Sequence, residues 1–213
     1  MRRLSFLFVL LALLLPPSVR AFDDTTLAVP AAQYLQTIRD GRDPAGQTAA
    51  NLLQQAEQQA RQKNWTAAIA AYETAIVAGA GQTATWLALS QIWQSRAEQT
   101  GQDNKQSDDA EYARGRSRQA AWNAFQAARA PFERARALFR LGDLYDRAQE
   151  PKSAIAVYRE ALELEDNPRA AKRYQELADA NAFQIKGVAV ESDSAAPKIC
   201  LKFSDDLAKG RQV

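Results

Sequence analysis

The segment from Ala135 to Pro168 constrains the fold of this 213-residue chain more than any other part of it. Small and apolar residues recur there three or four positions apart in two successive blocks, which is the spacing of one face of an α-helix. The first block contains Leu141, Gly142 and Tyr145, and the second contains Ala154, Ile155, Tyr158, Ala161 and Leu162. The segment is therefore predicted to form two helices, and the small residues Gly142 and Ala154 allow them to approach each other closely.

This spacing resembles the tetratricopeptide repeat, whose pattern of W-x2-L-G-x2-Y, A-x3-F and P extends over 34 residues. The separation between Gly142 and Ala154 matches that family as well. The resemblance implies a stack of helix pairs, because no single pair can bury its apolar face alone. It also implies a concave groove, lined by the first helix of each pair, that binds another protein or a peptide.

Two weaker copies precede this unit. The first, residues 49–82, has Ala56, Trp65, Ala68, Ile69, Tyr72 and Ala75 at the same offsets, and the second has Trp86, Leu89, Ser90 and Trp93, then Ala121, Phe125 and Ala128. The delayed second helix of this copy indicates an insertion at about residues 100–117, which we expect to be a solvated loop. The alternative is a binding loop that uses Asp103, Lys105, Asp108, Asp109 and Glu111.

The flanks complete the predicted fold. A capping helix is expected from Asn167 to Asn181, since proline at position 168 suits a first helical turn. Residues 22–48 form an N-terminal segment with a short predicted helix, Ala31–Ile38, that caps the first repeat or hangs loosely. The fold class is all-α: a tetratricopeptide-like helical-hairpin solenoid of about three repeats plus a capping helix over residues 49–181, followed by a short β-hairpin.

Residues 182–213 change to a strand pattern. Apolar and polar residues alternate in Phe183–Lys186 and again in Pro197–Phe203, and Gly187 is a candidate bulge where the apolar positions change parity. Two strands alone are barely stable in water, so this hairpin needs a partner or a continuation. An unpaired edge near Ile199–Phe203 is a candidate for adding a strand to another chain.

The first 21 residues have the pattern of a secretory signal peptide. Arg2 and Arg3 precede an uncharged run from Leu4 to Leu15, Pro16 ends that run, and Ala21 is a suitable last residue before cleavage. Spanning a membrane takes about 20 apolar residues, so a membrane anchor is the weaker alternative. We therefore expect a bacterial protein that is periplasmic or secreted, cleaved after Ala21 and left without a stable membrane anchor.

A signal peptide, a short helical repeat region and the segments IKGVAVES and ICLKFSDDL together resemble the start of bacterial alpha-2-macroglobulin-family proteins. The resemblance implies that the C-terminal segment opens the first of many β-sandwich domains of a large protease trap. This chain has neither the Cys-Gly-Glu-Gln thioester stretch nor a bait region. It would then be a truncated N-terminal piece, and trapping would not be its own activity.

Composition excludes several classes of function. The signal region holds three of the 27 basic residues and no acid, so the remainder carries 24 basic and 25 acidic residues, which does not suit a nucleic-acid binder. The chain contains no histidine, which rules out Ser-His-Asp, Cys-His and HExxH chemistry within it. We predict no cofactor and no metal site. The lone Cys200 is interpreted as a small apolar strand residue, with pairing to another chain as the alternative.

The predicted function is a non-catalytic protein-interaction scaffold of the bacterial cell envelope. Groove positions carried over from the tetratricopeptide family are Glu57, Arg61, Gln91, Gln94, Arg136, Asp143, Asp146 and Arg147. Their mixed charge suits an extended peptide or a neighbouring domain. Two alternatives remain: a purely structural spacer of a larger exported protein, and an envelope hydrolase whose paired carboxylates are Asp143 and Asp146, three positions apart on one helix face.

Overall fold

The computed structural model describes residues 24–101, 107–182, 185–191 and 198–203. These residues form eight helices and two strands. The helices are α1 (Thr25–Gly41), α2 (Ala49–Arg61), α3 (Trp65–Val77), α4 (Thr83–Gly101), α5 (Ser107–Ala127), α6 (Pro131–Arg147), α7 (Pro151–Leu164) and α8 (Pro168–Ala180), and the strands are β1 (Ile185–Glu191) and β2 (Lys198–Phe203). The predicted signal peptide lies outside the described residues.

The helices from α2 to α8 form the predicted solenoid. Within a unit, α2 packs against α3, α4 against α5, and α6 against α7, and the second helix of each unit packs against the first helix of the next. Leu138, Leu141, Val157 and Tyr158 are fully buried between α6 and α7. The interior is continuous along the stack, which is how helix pairs that cannot bury their faces alone become stable.

Two turns show that the first and third units are copies of one structure. Lys63 and Gln149, each at the fifteenth position of its unit, adopt left-handed backbone conformations with φ of 58° and 59°. In each turn the following residue donates its N–H back across the helix end: Asn64 to the Gln59 carbonyl and Glu150 to the Tyr145 carbonyl, both at 2.9 Å. This is the Schellman arrangement that ends a helix and reverses the chain.

The insertion is helical where the structure describes it, so the expected solvated loop is wrong for residues 107–117. It extends α4 to Gly101 and starts α5 at Ser107, while residues 102–106 lie outside the described part. Ala110 and Ala113 are buried, and a Cβ built on Gly101 would lie 3.9 Å from that of Ala110. Small residues at helical spacing therefore let both helices grow together while staying packed.

Helix α1 is longer than expected and belongs to the body of the molecule. The Asp24 side chain accepts hydrogen bonds from the backbone N–H groups of Thr26 and Leu27, so the helix begins before Pro30 instead of after it. It packs against α5 and α3, with Ala31, Tyr34 and Ile38 buried. The segment is thus not loose, and it contacts the second unit through α5 as well as the first unit through α3.

The two strands form the predicted antiparallel hairpin. Val188 pairs with Leu201 and Val190 with Ile199, and the register shifts between Ile185 and Gly187, which confirms the predicted bulge. The two aliphatic pairs share one face and are 45% to 70% exposed. No described helix packs extensively against the hairpin. Cys200 lies in β2, as predicted, and is exposed.

Candidate functional site

Three of the predicted groove residues meet at a cavity between α6, α7 and α8. This α6–α8 cavity has a volume of about 550 Å³. Asp143, Asp146 and Arg147 line it from α6, while Arg169, Lys172, Arg173 and Glu176 line it from α8. The cavity therefore combines carboxylates and cations from α6, the first helix of the third unit, and from α8, the helix that follows that unit.

A bidentate ion pair in the lining of the α6–α8 cavity joins the two helices. Arg173 donates from Nε to Oδ2 of Asp146 and from Nη2 to Oδ1, both at 2.7 Å, and from Nη1 to Glu176 at 2.9 Å. Hydrogen bonds from the guanidinium to Asp146 and Glu176 raise the pKa of Arg173, so it remains a cation at physiological pH. The planar fork holds both Asp146 oxygens in one orientation.

The second carboxylate is also engaged. The Tyr158 hydroxyl donates to Oδ1 of Asp143 at 2.6 Å. Burial and this hydrogen bond raise the pKa of Tyr158, so the phenol stays protonated and remains a donor. Asp143 and Asp146 thus each hold a neighbouring helix in place, a role that needs no catalysis.

Arg147 extends the site towards the second unit. It donates to Oε1 of Glu98 at 2.9 Å, and the same oxygen accepts a hydrogen bond from Gln94 at 3.1 Å. Gln94 is 6% exposed, so its side chain is buried and Glu98 is the group that the surface presents. The α4–α6 contact is therefore polar at this edge of the cavity.

A partly buried cation joins the second and third units. Arg140 donates to Oγ of Ser90 at 2.9 Å and to the Ser90 carbonyl at 3.1 Å. Burial lowers the pKa of Arg140 to about 10. Ser90 occupies the small-residue position of its unit, so here that position receives a guanidinium as well as allowing close helix approach.

The remaining predicted groove residues lie elsewhere. Glu57 and Arg61 are exposed on α2 and pair with each other at 3.5 Å. Gln91 on α4 and Arg136 on α6 are exposed and do not line the α6–α8 cavity. These four residues stay predictions for a longer binding surface.

Sequence reasoning missed the basic residues of α8, because that helix was read as a cap. A signal for them was present: Arg173 lies one repeat length, 34 residues, after Phe139 on α6. If α8 is treated as the first helix of a fourth unit, Arg173 takes the position that Phe139 has in the third unit. Both residues then belong to the surface that lines the α6–α8 cavity.

Among the described residues, no group of three or more His, Cys, Asp or Glu residues is placed so as to hold a metal ion. None of the described helices is both long and apolar enough to cross a membrane.

Comparison with known proteins identifies one unit. The family model of the tetratricopeptide repeat matches residues 135–168, which include α7 and most of α6. No curated protein matches the chain. Neither result supports the resemblance of the C-terminal segment to alpha-2-macroglobulin-family proteins.

Proposed function

Since the chain is a tetratricopeptide repeat protein, a family of protein-interaction scaffolds, we propose that it is a non-catalytic adaptor of the bacterial cell envelope that binds a protein partner at the α6–α8 cavity. The observation that carries the proposal is the position of this cavity within the matched repeat. It is lined by residues of α6 and α7 and completed by α8.

The charge distribution of the α6–α8 cavity favours a partner segment of mixed charge. The lining holds three carboxylates and four cations, so its net charge is close to zero. Arg169 and Lys172 are exposed, whereas Asp146 and Arg173 hold each other in one orientation. Groups held in one orientation bind a ligand at little entropic cost, and the exposed cations provide additional pairing.

The engaged carboxylates favour a scaffold over a hydrolase. Asp146 has both oxygens on Arg173, and Asp143 accepts from Tyr158. A general acid–base pair of these residues would have to work with both oxygens of Asp146 already paired to Arg173. We therefore assign both residues to structure and binding.

The envelope location rests on the N-terminal sequence. Residues 1–21 have the signal-peptide pattern, and the capping residue of α1, Asp24, follows the predicted cleavage site closely. A chain cleaved there keeps all of α1. N-terminal sequencing of the protein from a periplasmic fraction should begin at Phe22; an unprocessed Met1 would contradict export by cleavage.

We also propose that β1 and β2 are the first strands of a β domain, as the alpha-2-macroglobulin resemblance implies. The exposed aliphatic face of the hairpin supports this, because such a face is normally covered by a second layer. A coding sequence that continues past Val213 into repeated strand patterns would agree with it. A stop codon directly after Val213 would contradict it and favour a stand-alone adaptor.

Site-specific cross-linking tests the binding surface. A photoreactive residue replaces Arg147 at the cavity, and a matched variant replaces Arg159, an exposed arginine on α7 that does not line the cavity. We expect a discrete cross-linked protein from position 147 and none from position 159, after irradiation in the native host. Equal products from both positions would contradict a specific site. A mere spacer would give no product from either.

A further inference from the structure

A second cavity, of about 430 Å³, lies where α1 meets α3, α4 and α5. It is separate from the α6–α8 cavity and exists only because α1 packs into the body of the molecule. Its lining combines three aromatic rings with three guanidinium groups: Tyr34, Trp93, Tyr112, Arg42, Arg96 and Arg116. We refer to it as the arginine–aromatic cavity.

The rings and cations alternate along one wall of this cavity. Trp93 makes edge contacts with Tyr112 and with Tyr34, with ring centroids 5.8 and 6.5 Å apart. Arg116 lies over both tyrosine rings, 4.3 Å from the centroid of Tyr34 and 4.9 Å from that of Tyr112. Arg96 lies over Trp93 at 5.4 Å. Stacking on rings holds guanidinium groups in place while leaving their in-plane N–H groups available to an acceptor.

The carboxylate in the lining is already satisfied. Glu73 is 5% exposed, accepts from the Tyr34 hydroxyl at 2.7 Å and from Arg42 Nε at 2.9 Å. Burial, together with the charge of Glu73, raises the pKa of Tyr34, so its phenol remains a neutral donor. One carboxylate and one guanidinium thus neutralise each other at the back of the cavity.

Arg96 and Arg116 are the other two cations of the cavity lining. Within the part of the chain that the structure describes, neither Arg96 nor Arg116 has a carboxylate within 4 Å. Arg116 donates to the Tyr112 hydroxyl at 2.9 Å and to Gln119 at 3.0 Å, both neutral acceptors. Two guanidinium groups that share a concave site, and that have no ion-pair partner among the described residues, are suited to bind carboxylate groups through paired N–H donors.

We propose that the arginine–aromatic cavity binds an acidic peptide segment of the protein partner, with glutamate or aspartate side chains on Arg96 and Arg116. The volume is in the range of pockets that hold organic ligands and exceeds the needs of a single small anion. Tyr112 is 54% exposed at the mouth and offers a ring surface for an apolar residue next to the acid. The inference rests on the proposed function only in that the ligand belongs to a protein.

The test uses a titration followed by the indole N–H of Trp93, which donates to the Tyr34 hydroxyl inside the cavity wall. The chain without the predicted signal peptide is labelled with ¹⁵N, and the resonance is assigned with Trp93→Phe. The probe is the N-acetylated, C-amidated peptide Ala-Glu-Leu-Glu-Ala. The same peptide with glutamine in place of glutamate, and sodium phosphate alone, are the comparison ligands.

We expect the glutamate peptide to shift the Trp93 signal saturably and the glutamine peptide to leave it in place. Arg96→Gln should weaken the binding by about tenfold, since it removes one charge-assisted contact. Arg159→Gln, with the same charge change at an exposed position on α7, should bind like the unsubstituted protein. The urea unfolding midpoints of both variants separate loss of binding from loss of folding. The Arg116→Gln variant serves the same purpose as a second probe of the cavity.

Equal binding of the glutamine peptide, or unchanged binding by folded Arg96→Gln, would overturn the proposal. Phosphate that shifts the same resonance and displaces the peptide at similar concentration would also overturn it, because the cavity would then be a general anion site. If the peptide fails while position 147 still cross-links a partner, the cavity assignment falls and the proposed function stands.

Discussion

Replacing Gly142 by alanine should show how tightly the matched repeat is packed. Gly142 lies on α6 opposite the ring of Tyr158 on α7. A Cβ at this position would lie 2.6 Å from Cε1 and 2.7 Å from Cδ1 of that ring. The ring is 1% exposed and its hydroxyl is held by Asp143, so it has little room to move.

The expected change in the free energy of unfolding follows from two opposing effects. Overpacking a well-packed interior by one methyl group costs about 1–3 kcal/mol, and the fixed ring places this site near the upper end. Alanine is about 1 kcal/mol better than glycine within a helix. The net loss in the free energy of unfolding for Gly142→Ala is therefore about 2 kcal/mol.

Gly115→Ala is the matched control. Gly115 lies within α5, and nothing stands within 4 Å of a Cβ built there. The same substitution should therefore stabilise the protein by about 1 kcal/mol through helix propensity alone. Urea titrations followed by circular dichroism at 222 nm give both values on one protein.

A Gly142→Ala variant that unfolds at or above the urea concentration of the unsubstituted protein would refute the reasoning. A second comparison locates the cause. In a Tyr158→Leu background the ring is gone, and Gly142→Ala should then become neutral or stabilising. If the penalty persists without the ring, close helix packing at Gly142 is not its origin.

Three further outcomes are expected. Tyr34→Phe should cost about 2 kcal/mol in a urea titration, because it removes the buried donor to Glu73 and the acceptor for Trp93; an unchanged midpoint would contradict that network. Burial raises the pKa of the Asp24 carboxyl, but the hydrogen bonds that this carboxyl accepts have the larger effect and hold its pKa below 3.8. The stability that these hydrogen bonds provide is present above about pH 4. It is lost as the pH falls through the pKa that Asp24 has in the folded protein. Asp24→Asn should therefore lose less stability than the unsubstituted protein between pH 7 and pH 3, and equal losses would argue against the effect. If the β2 edge adds a strand to another copy, Leu201→Lys should weaken self-association, as measured by sedimentation. The same substitution should leave the unfolding midpoint of the helices unchanged.

The repeat architecture could be predicted because its signals are local. Residues 135–168 match the spacing of two packed helices, and Gly142 is required by a ring only sixteen positions later. The hairpin and its bulge at Gly187 were predictable for the same reason, since alternation and a change of parity are read within a few residues.

The position of α1 was not predictable in this way. Its packing depends on Tyr34 meeting Glu73 and Trp93, which lie 39 and 59 residues away. The insertion was misread for a related reason: its polar residues suggested a loop, but Ala110 and Ala113 are buried only because α4 is lengthened beside them.

The sequence by itself therefore determined the helical repeat and the terminal hairpin, because each depends on residue types at short, regular spacing. Only the tertiary structure decided which charges meet. The pairing of Asp146 with Arg173 crosses from α6 to α8, and Arg96 and Arg116 share one cavity because α1 closes it. Ion pairs and cavities arise between elements distant in the chain, so spacing along the sequence does not specify them.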